Sequence, residues 1–143
     1  MLSKDAIYIH YGSSRFDIEK FEEVQNCDVL SKPVNGGLWA SPEGAEDGWQ
    51  KINDIRPQDR FSFKFQLISS AKVLMLDNKD IIDKLPQISS KSDFYPVTLD
   101  FEKLSTEYDV IYYKYNREMD EILPSWDCDC ILVMNPNVIQ EIK

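Results

Sequence analysis

A strict alternation of apolar and polar residues runs from Phe61 to Leu67, with phenylalanine or leucine at every odd position. This period of two is typical of a strand with one buried face. The segment 72–76 is apolar after its first residue and predicts a strand buried on both faces. Shorter β-prone runs predict three more strands, at 6–10, 110–113 and 131–134.

Helices are predicted where a capping residue precedes apolar residues at helical spacing. Ser41 before Pro42 has the order of a cap and a first helical residue, which predicts a helix to about Asn53. Asn78 and Asp100 would cap two more short helices. Looser turns are expected over two further segments, 16–21 and 116–123. Because strands and helices interleave without a regular βαβ spacing, we expect one α+β domain over residues 1–143 and no doubly wound parallel sheet.

Composition and charge narrow the classes of partner. The 143 residues include 16 Lys+Arg and 25 Asp+Glu, a formal charge of −9. This charge disfavours direct binding to nucleic-acid phosphates or to an anionic membrane, and it suits a soluble protein or one that meets a basic partner surface. No apolar run reaches the roughly 18 residues of a membrane span. The first ten residues lack the apolar core of a signal peptide and the cysteine count is odd, so we expect reduced thiols and a cytoplasmic location.

The first candidate site is the end of the N-terminal strand, where ring residues are followed by glycine and hydroxyls: His10, Tyr11, Gly12, Ser13 and Ser14. Glycine lets the backbone approach a planar ligand closely. Its N–H and C=O could then hold an amide, while a ring or a hydroxyl holds a sugar. The alternative is a strand that ends in a tight turn, with His10 and Tyr11 packing against neighbours, and these residues alone favour it.

The second candidate site is the segment 32–42, where Gly36 and Gly37 precede Trp39 and the predicted helix start at Ser41. Such an order can place an aromatic ring beside a pocket, with Ser41 and the helix N-terminus near a polar or negative group. An ordinary loop followed by a core tryptophan and a capped helix explains the same segment, and the segment alone favours that explanation.

The third candidate site precedes the last predicted strand, where two acids and two thiols alternate: Asp127, Cys128, Asp129 and Cys130. Cys-x-Cys supplies two soft metal ligands, but the single histidine is distant and no second cysteine pair exists, so no metal site is expected. A nucleophilic Cys–His10 pair is conceivable. A hairpin that leads into a buried strand, with Cys130 as a small core residue, needs no chemistry at all.

Taken in order, these segments resemble the ADP-ribosyltransferase fold, the NAD-binding split sheet of bacterial toxins and poly-ADP-ribose polymerases. That family opens with a strand ending in His-Gly-Ser/Thr or in Arg, and continues with a strand carrying an aromatic residue and Ser/Thr. It closes with a Tyr-Asp-Gly/Ala-Ile strand and a Glu-led strand ending in Asn/Asp-Pro-x-x-Ile. The similar segments here are 11–13, 37–42, 108–111 and 130–139. The resemblance implies an α+β domain with a split antiparallel sheet and short flanking helices.

The resemblance also implies an activity, the NAD-dependent transfer of a single ADP-ribose to a macromolecule, with a protein as the expected target. Small members of this kind are toxins, phage proteins or anti-defence factors. The residues implied for NAD are His10 or Tyr11 at the ribose, Gly12 at the carboxamide, Ser13 beside it, Trp39 stacked on nicotinamide, and Ser41 as support. Because successive side chains of a strand face opposite ways, His10 and Tyr11 are alternatives for the ribose.

The catalytic Glu of the family, at the head of the last strand, aligns with Cys130 of this chain. In the family that Glu is understood to hold the ribose 2′-hydroxyl and to stabilise the positive charge that grows as nicotinamide leaves, which a neutral thiol does not do. Asp129 or Asp127 would then be the catalytic acid, if the chain bulges there, and a distant acid such as Glu121 is a further alternative. One alternative is a catalytically inactive relative that binds or inhibits a basic partner through its acidic surface. Another is an unrelated α+β domain with coincidental motifs.

Overall fold

The computed structural model describes residues 5–27, 30–43, 61–89, 91, 97–124, 126 and 128–142. Within these ranges the chain forms a seven-stranded sheet with the order β4-β5-β6-β2-β1-β3-β7. The strands are β1 (Tyr8–Tyr11), β2 (Leu38–Pro42), β3 (Ser62–Leu67), β4 (Val73–Leu76), β5 (Val110–Tyr113), β6 (Cys130–Val133) and β7 (Ile139–Ile142). The five predicted strands are confirmed, with ends that differ by no more than two residues, and the pattern predicts neither β2 nor β7.

The sheet is mixed. β4 and β5 run parallel, whereas the other neighbouring strands pair antiparallel. The general α+β class is therefore confirmed, and the expectation of a purely antiparallel sheet is corrected at one edge. The parallel pair is possible because the chain from 77 to 109 crosses over between β4 and β5, long enough to carry two helices.

In the described ranges, three short helices begin at side-chain caps. They are α1 (Lys79–Asp83), α2 (Phe101–Leu104) and α3 (Arg117–Ile122). The cap oxygens of Asn78, Asp100 and Asn116 each accept a backbone N–H three residues later, at 2.9–3.1 Å. These bonds satisfy N–H groups that the first helical turn leaves without partners. The predicted caps at Asn78 and Asp100 are confirmed, and single 3-10 turns lie at Ile18–Lys20 and Pro136–Val138.

Ser41 and Pro42 do not begin a helix, contrary to the sequence prediction. Both residues end strand β2, where Ser41 pairs with Ile9 and Pro42 with Tyr8 of β1. The Ser41 hydroxyl donates to the backbone oxygen of Asp129 at 3.1 Å instead of capping a helix. Long-range pairing overrides the local capping pattern here. The remainder of that predicted helix, 44–53, lies outside the described residues.

Apolar side chains fill both faces of the sheet. Along β6, Cys130 and Leu132 belong to a cluster that includes residues of all three helices, whereas Ile131 and Val133 belong to a cluster with Phe63 and Phe65 of β3. This division explains why the 131–134 segment is apolar without alternation. Each fully buried side chain of this size contributes about 1.5–3 kcal/mol to stability.

Tyr8, on the face that carries Phe65, supports a prediction about alkaline stability. Its side chain is 1% exposed, and its hydroxyl makes no hydrogen bond within the described part of the chain. Burial, and secondarily Tyr112, raises the pKa of Tyr8 to about 12. Between pH 10 and 12 the unfolded chain therefore loses a proton that the folded chain keeps, so stability falls as pH rises through this window.

We expect Tyr8→Phe to unfold at the same or a slightly higher urea concentration at pH 7, because it removes a buried hydroxyl without a partner. Above pH 10 the variant should lose less stability than the wild type, by up to about 2 kcal/mol. Urea unfolding at pH 7 and at several values between pH 10 and 11.5 measures both effects. An equal alkaline loss in the two proteins would contradict the assignment to Tyr8.

Candidate functional site

The sheet opens between β1 and β2. These strands share two registered pairs, Tyr8 with Pro42 and Ile9 with Ser41. β1 continues to pair with β3 as far as Tyr11, so the end of β1 follows β3 and leaves β2. The backbone of Trp39 consequently faces a gap where a further β1 partner would lie in a continuous ladder.

His10 bridges this gap. Its Nδ1 lies 2.6 Å from the backbone oxygen of Trp39. Because a carbonyl oxygen only accepts hydrogen bonds, Nδ1 carries the proton and Nε2 of the neutral ring is an acceptor. The imidazole of His10 also packs against the ring of Phe63, with the two ring centroids 5.2 Å apart. The single histidine of the chain therefore makes a side-chain contact where a backbone contact of the ladder is missing.

A cavity of about 410 Å³ lies at this opening. Its wall comprises residues 9–11 of β1, 32–34 of the preceding loop, 39–41 of β2, and Trp126, Cys128 and Cys130. The volume falls in the range of about 300–1,000 Å³ that small-molecule sites occupy. Segments that are distant in the sequence thus meet at one concave surface.

Two tryptophans form an aromatic part of the wall. Trp39 and Trp126 pack edge to face, with ring centroids 5.0 Å apart and planes at 64°. Trp126 is buried, and its indole N–H donates to the backbone oxygen of Ser31 at 2.8 Å. Trp39 is only half-buried. Trp126 therefore supports the half-buried ring of Trp39 and holds the loop that begins at Ser31.

A glycine turn brings Trp39 to the cavity. Gly36 and Gly37 have φ values of 77° and 73°, which side chains rarely tolerate. The Gly37 N–H donates to the backbone oxygen of Glu22 at 2.8 Å, and the Gln25 N–H donates to that of Asn35 at 3.0 Å. The turn is thus fastened to segment 22–25, and β2 begins one residue later.

The cavity brings together four of the six residues predicted to bind NAD: His10, Tyr11, Trp39 and Ser41. Both alternatives for the ribose contact, His10 and Tyr11, lie in the wall. Gly12 and Ser13 are exposed and lie outside it. The Gly12 N–H donates to the backbone oxygen of Phe61 at 2.7 Å, so in this structure that N–H already has a partner.

Asp129, predicted as the catalytic acid, is buried outside the cavity wall. One carboxylate oxygen lies 2.8 Å from the ammonium of Lys114, and the other accepts the backbone N–H of Tyr115 at 2.7 Å. Burial raises the pKa of Tyr112, and the Asp129 carboxylate raises it further. These contacts tie Asp129 to the two residues that follow β5, so a catalytic role would require its carboxylate to leave two partners. Asp127 lies outside the described residues.

Cys130, which aligns with the family's catalytic Glu, does line the cavity, together with Cys128. Both are buried, and the three cysteines of the chain are thiols and not disulfide partners. Among the described residues, no three His, Cys, Asp or Glu side chains cluster as a metal site would need. In the same ranges, no helix has the length and apolar character to cross a membrane.

Lys32, Pro33 and Val34 belong to the candidate segment 32–42, but the sequence prediction gives them no role toward NAD, and it gives none to Trp126. The signal for the loop residues is their position just before the glycine turn, because a turn that delivers Trp39 also folds the preceding residues beside it. Trp126 opens the third candidate segment in the sequence, but its place in the wall depends on its hydrogen bond to Ser31, 95 positions away.

Comparison with known proteins gives no relative. No protein-family model, curated protein or solved structure matches the chain. The functional argument therefore depends on the geometry of the cavity and on the residues that line it.

Proposed function

We propose that the chain has an ADP-ribosyltransferase-like fold and binds NAD at the opening between β1 and β2, where it transfers ADP-ribose to a macromolecular target. One observation carries the proposal. Two segments singled out separately in the sequence, around His10 and around Trp39, meet at a single cavity. The opening of the sheet at this place also suits a split-sheet architecture.

In this proposal four wall residues have defined roles. Trp39 stacks against the nicotinamide ring, and Trp126 holds Trp39 in place through their edge-to-face contact. The His10 Nε2 accepts a hydrogen bond from a ribose hydroxyl, because Nδ1 is already bound to the Trp39 carbonyl. Ser41 keeps the backbone of Asp129, and with it the start of β6, against β2.

The proposed reaction breaks the bond between the ribose C1′ and the nicotinamide nitrogen. Nicotinamide leaves as a neutral molecule with the bonding electron pair, and a nucleophilic oxygen or nitrogen of the target bonds to C1′ and releases its proton. Positive charge develops on the ribose in between. A carboxylate at the cavity would stabilise that charge.

A second candidate function is favoured by the nature of the wall. Cys130 stands where the resemblance places a carboxylate, and no acidic side chain is among the described residues that line the cavity. With a net charge of −9, an inactive relative could bind the ligand without turnover and contact a basic partner through its acidic surface. The two candidates differ in catalysis and share the cavity.

Calorimetric titration of NAD into the wild type and into Trp39→Ala tests the shared element. We expect saturable binding to the wild type and at least about tenfold weaker binding to the variant, because stacking of a ring on an aromatic side chain contributes about 1–3 kcal/mol. Trp39→Phe, which keeps a flat ring, should retain most of the affinity.

Thermal unfolding of each variant controls for loss of packing against Trp126. No NAD binding by the folded wild type would refute the proposed function. Equal NAD affinity in wild type and folded Trp39→Ala would remove Trp39 from the site.

A further inference from the structure

Among the described residues of the cavity wall, Lys32 contributes a lysine ammonium, and none contributes a carboxylate or a guanidinium. Its ammonium lies 6.0 Å from the ring centroid of Trp39. Lys64, Lys79 and Lys114 form ion pairs, whereas Lys32 has no acidic partner among the described residues. Although the chain has 25 acidic residues, none of those that the structure describes pairs with Lys32.

The position of Lys32 is fixed by its neighbours. The backbone oxygen of Ser31 accepts the indole N–H of the buried Trp126 at 2.8 Å, and the buried Pro33 follows directly. The lysine is therefore attached to a backbone that is held on both sides, next to the ring of Trp39. This arrangement limits where its ammonium can reach.

The distance between ring and ammonium indicates the shape of a ligand. An anion bound by the ammonium lies about 3 Å beyond it, which places that anion within about 9 Å of the Trp39 ring. The ammonium lies over the Trp39 ring, so a planar ligand ring that stacks on this face takes the place of the cation–π contact. The displaced ammonium and a phosphate bound to it would be joined to that ring by a linker the size of one sugar. A nucleotide has this order of groups, whereas a nucleoside lacks the anion.

We propose that Lys32 binds a phosphate of the ligand, so that the cavity selects nucleotides over the corresponding nucleosides. The inference deepens the proposed function and rests on it for the identity of the nucleotide as NAD. It adds a specificity-determining residue and a chemical class, a ring joined through a sugar to phosphate.

Titrations of three ligands into the wild type and Lys32→Met test this inference: NAD, nicotinamide mononucleotide and nicotinamide riboside. Lys64→Met is the matched control, because it removes the same charge from β3, where Lys64 pairs with Glu43 at 2.6 Å outside the cavity wall. We expect Lys32→Met to weaken binding of both phosphate-bearing ligands about tenfold, as loss of a charge-assisted hydrogen bond would. The riboside, whose nicotinamide ring carries a positive charge, should bind the variant at least as tightly as the wild type, and Lys64→Met should bind all three ligands as the wild type does.

Ionic strength gives an independent measurement. NAD affinity should fall with added salt in the wild type and change less in Lys32→Met, because the lost interaction is between charges. If the wild type binds NAD and Lys32→Met binds it equally, or loses riboside binding to the same extent, the role of Lys32 is refuted while the proposed function stands.

If the wild type does not bind NAD, the proposed function fails, and adenosine monophosphate then decides the inference. Binding of this nucleotide that depends on Lys32, with no binding of adenosine, would support a phosphate site at Lys32. Failure of the wild type to bind adenosine monophosphate would overturn it.

Discussion

Gly36→Ala is expected to lose at least about 3 kcal/mol of unfolding free energy, more than backbone strain alone would cause. A Cβ on Gly36 would lie 1.9 Å from the backbone oxygen of Glu23 and 2.7 Å from the Cα of Val24. Both atoms belong to backbone, so neither can rotate away. The residue also has a φ of 77°, which disfavours any side chain. Relief requires the glycine turn to separate from segment 22–25.

Gly12→Ala is the matched control for this prediction. Gly12 also has a positive φ, 123°, but the nearest atom to its Cβ position is the His10 Nε2 at 3.8 Å, an ordinary contact. This variant should therefore lose only the strain, about 1–3 kcal/mol. Urea unfolding of both variants measures the difference. A smaller loss in Gly36→Ala than in Gly12→Ala would contradict the close approach of the two segments.

Cys130→Glu is expected to raise the rate of nicotinamide release from NAD about a hundredfold. Cys130 lines the cavity at the start of β6, and the resemblance places the family's catalytic Glu at this position. A carboxylate there would stabilise the positive charge that develops on the ribose, and a single well-placed electrostatic group changes rates by about 10²–10³. The reaction measured is hydrolysis, in which water supplies the oxygen that bonds to C1′ and its proton passes to solvent.

Two further variants separate charge from size and from Asp129. Cys130→Gln has the size of the glutamate without its charge and should show no gain. The double variant Asp129→Asn/Cys130→Glu should keep the faster nicotinamide release, because the Asp129 carboxylate contacts Lys114 and Tyr115 and does not line the cavity. Thermal unfolding and NAD titration show whether each variant is folded and binds. A folded, NAD-binding Cys130→Glu protein without faster release would contradict the placement of the family's catalytic Glu at position 130.

The elements that the sequence predicts well are those decided by nearby residues. Asn78 and Asp100 cap helices through bonds that span three positions, and the alternation at 61–67 marks the buried side of β3. Pro42 shows the opposite case. Its cap-like context at Ser41 is local, but pairing with Tyr8 on a distant segment determines its structure, and no local pattern contains that information.

The candidate site divides in the same way. The sequence indicates His10 and Trp39 as two separate candidate sites, because each lies two positions from a glycine. That they meet depends on where β1 leaves β2, which follows from the competing pairing with β3. The catalytic acid is the hardest residue to assign from the sequence. Neighbouring side chains of a strand face opposite ways, so a shift of one residue decides whether Asp129 or Cys130 faces the cavity.

The central place of β2 also determines when the cavity can form during synthesis. β2 lies between β1, which is synthesised before it, and β6, which is synthesised much later and whose Leu132 pairs with Trp39. A ribosome adds about 5–20 residues per second, so the Trp39 segment waits several seconds for its partner strand. The ring of Trp39 also lacks its support until Trp126 has emerged. Nascent chains that end before β6 therefore lack part of the cavity wall, and the cavity is complete only after β6 has been synthesised.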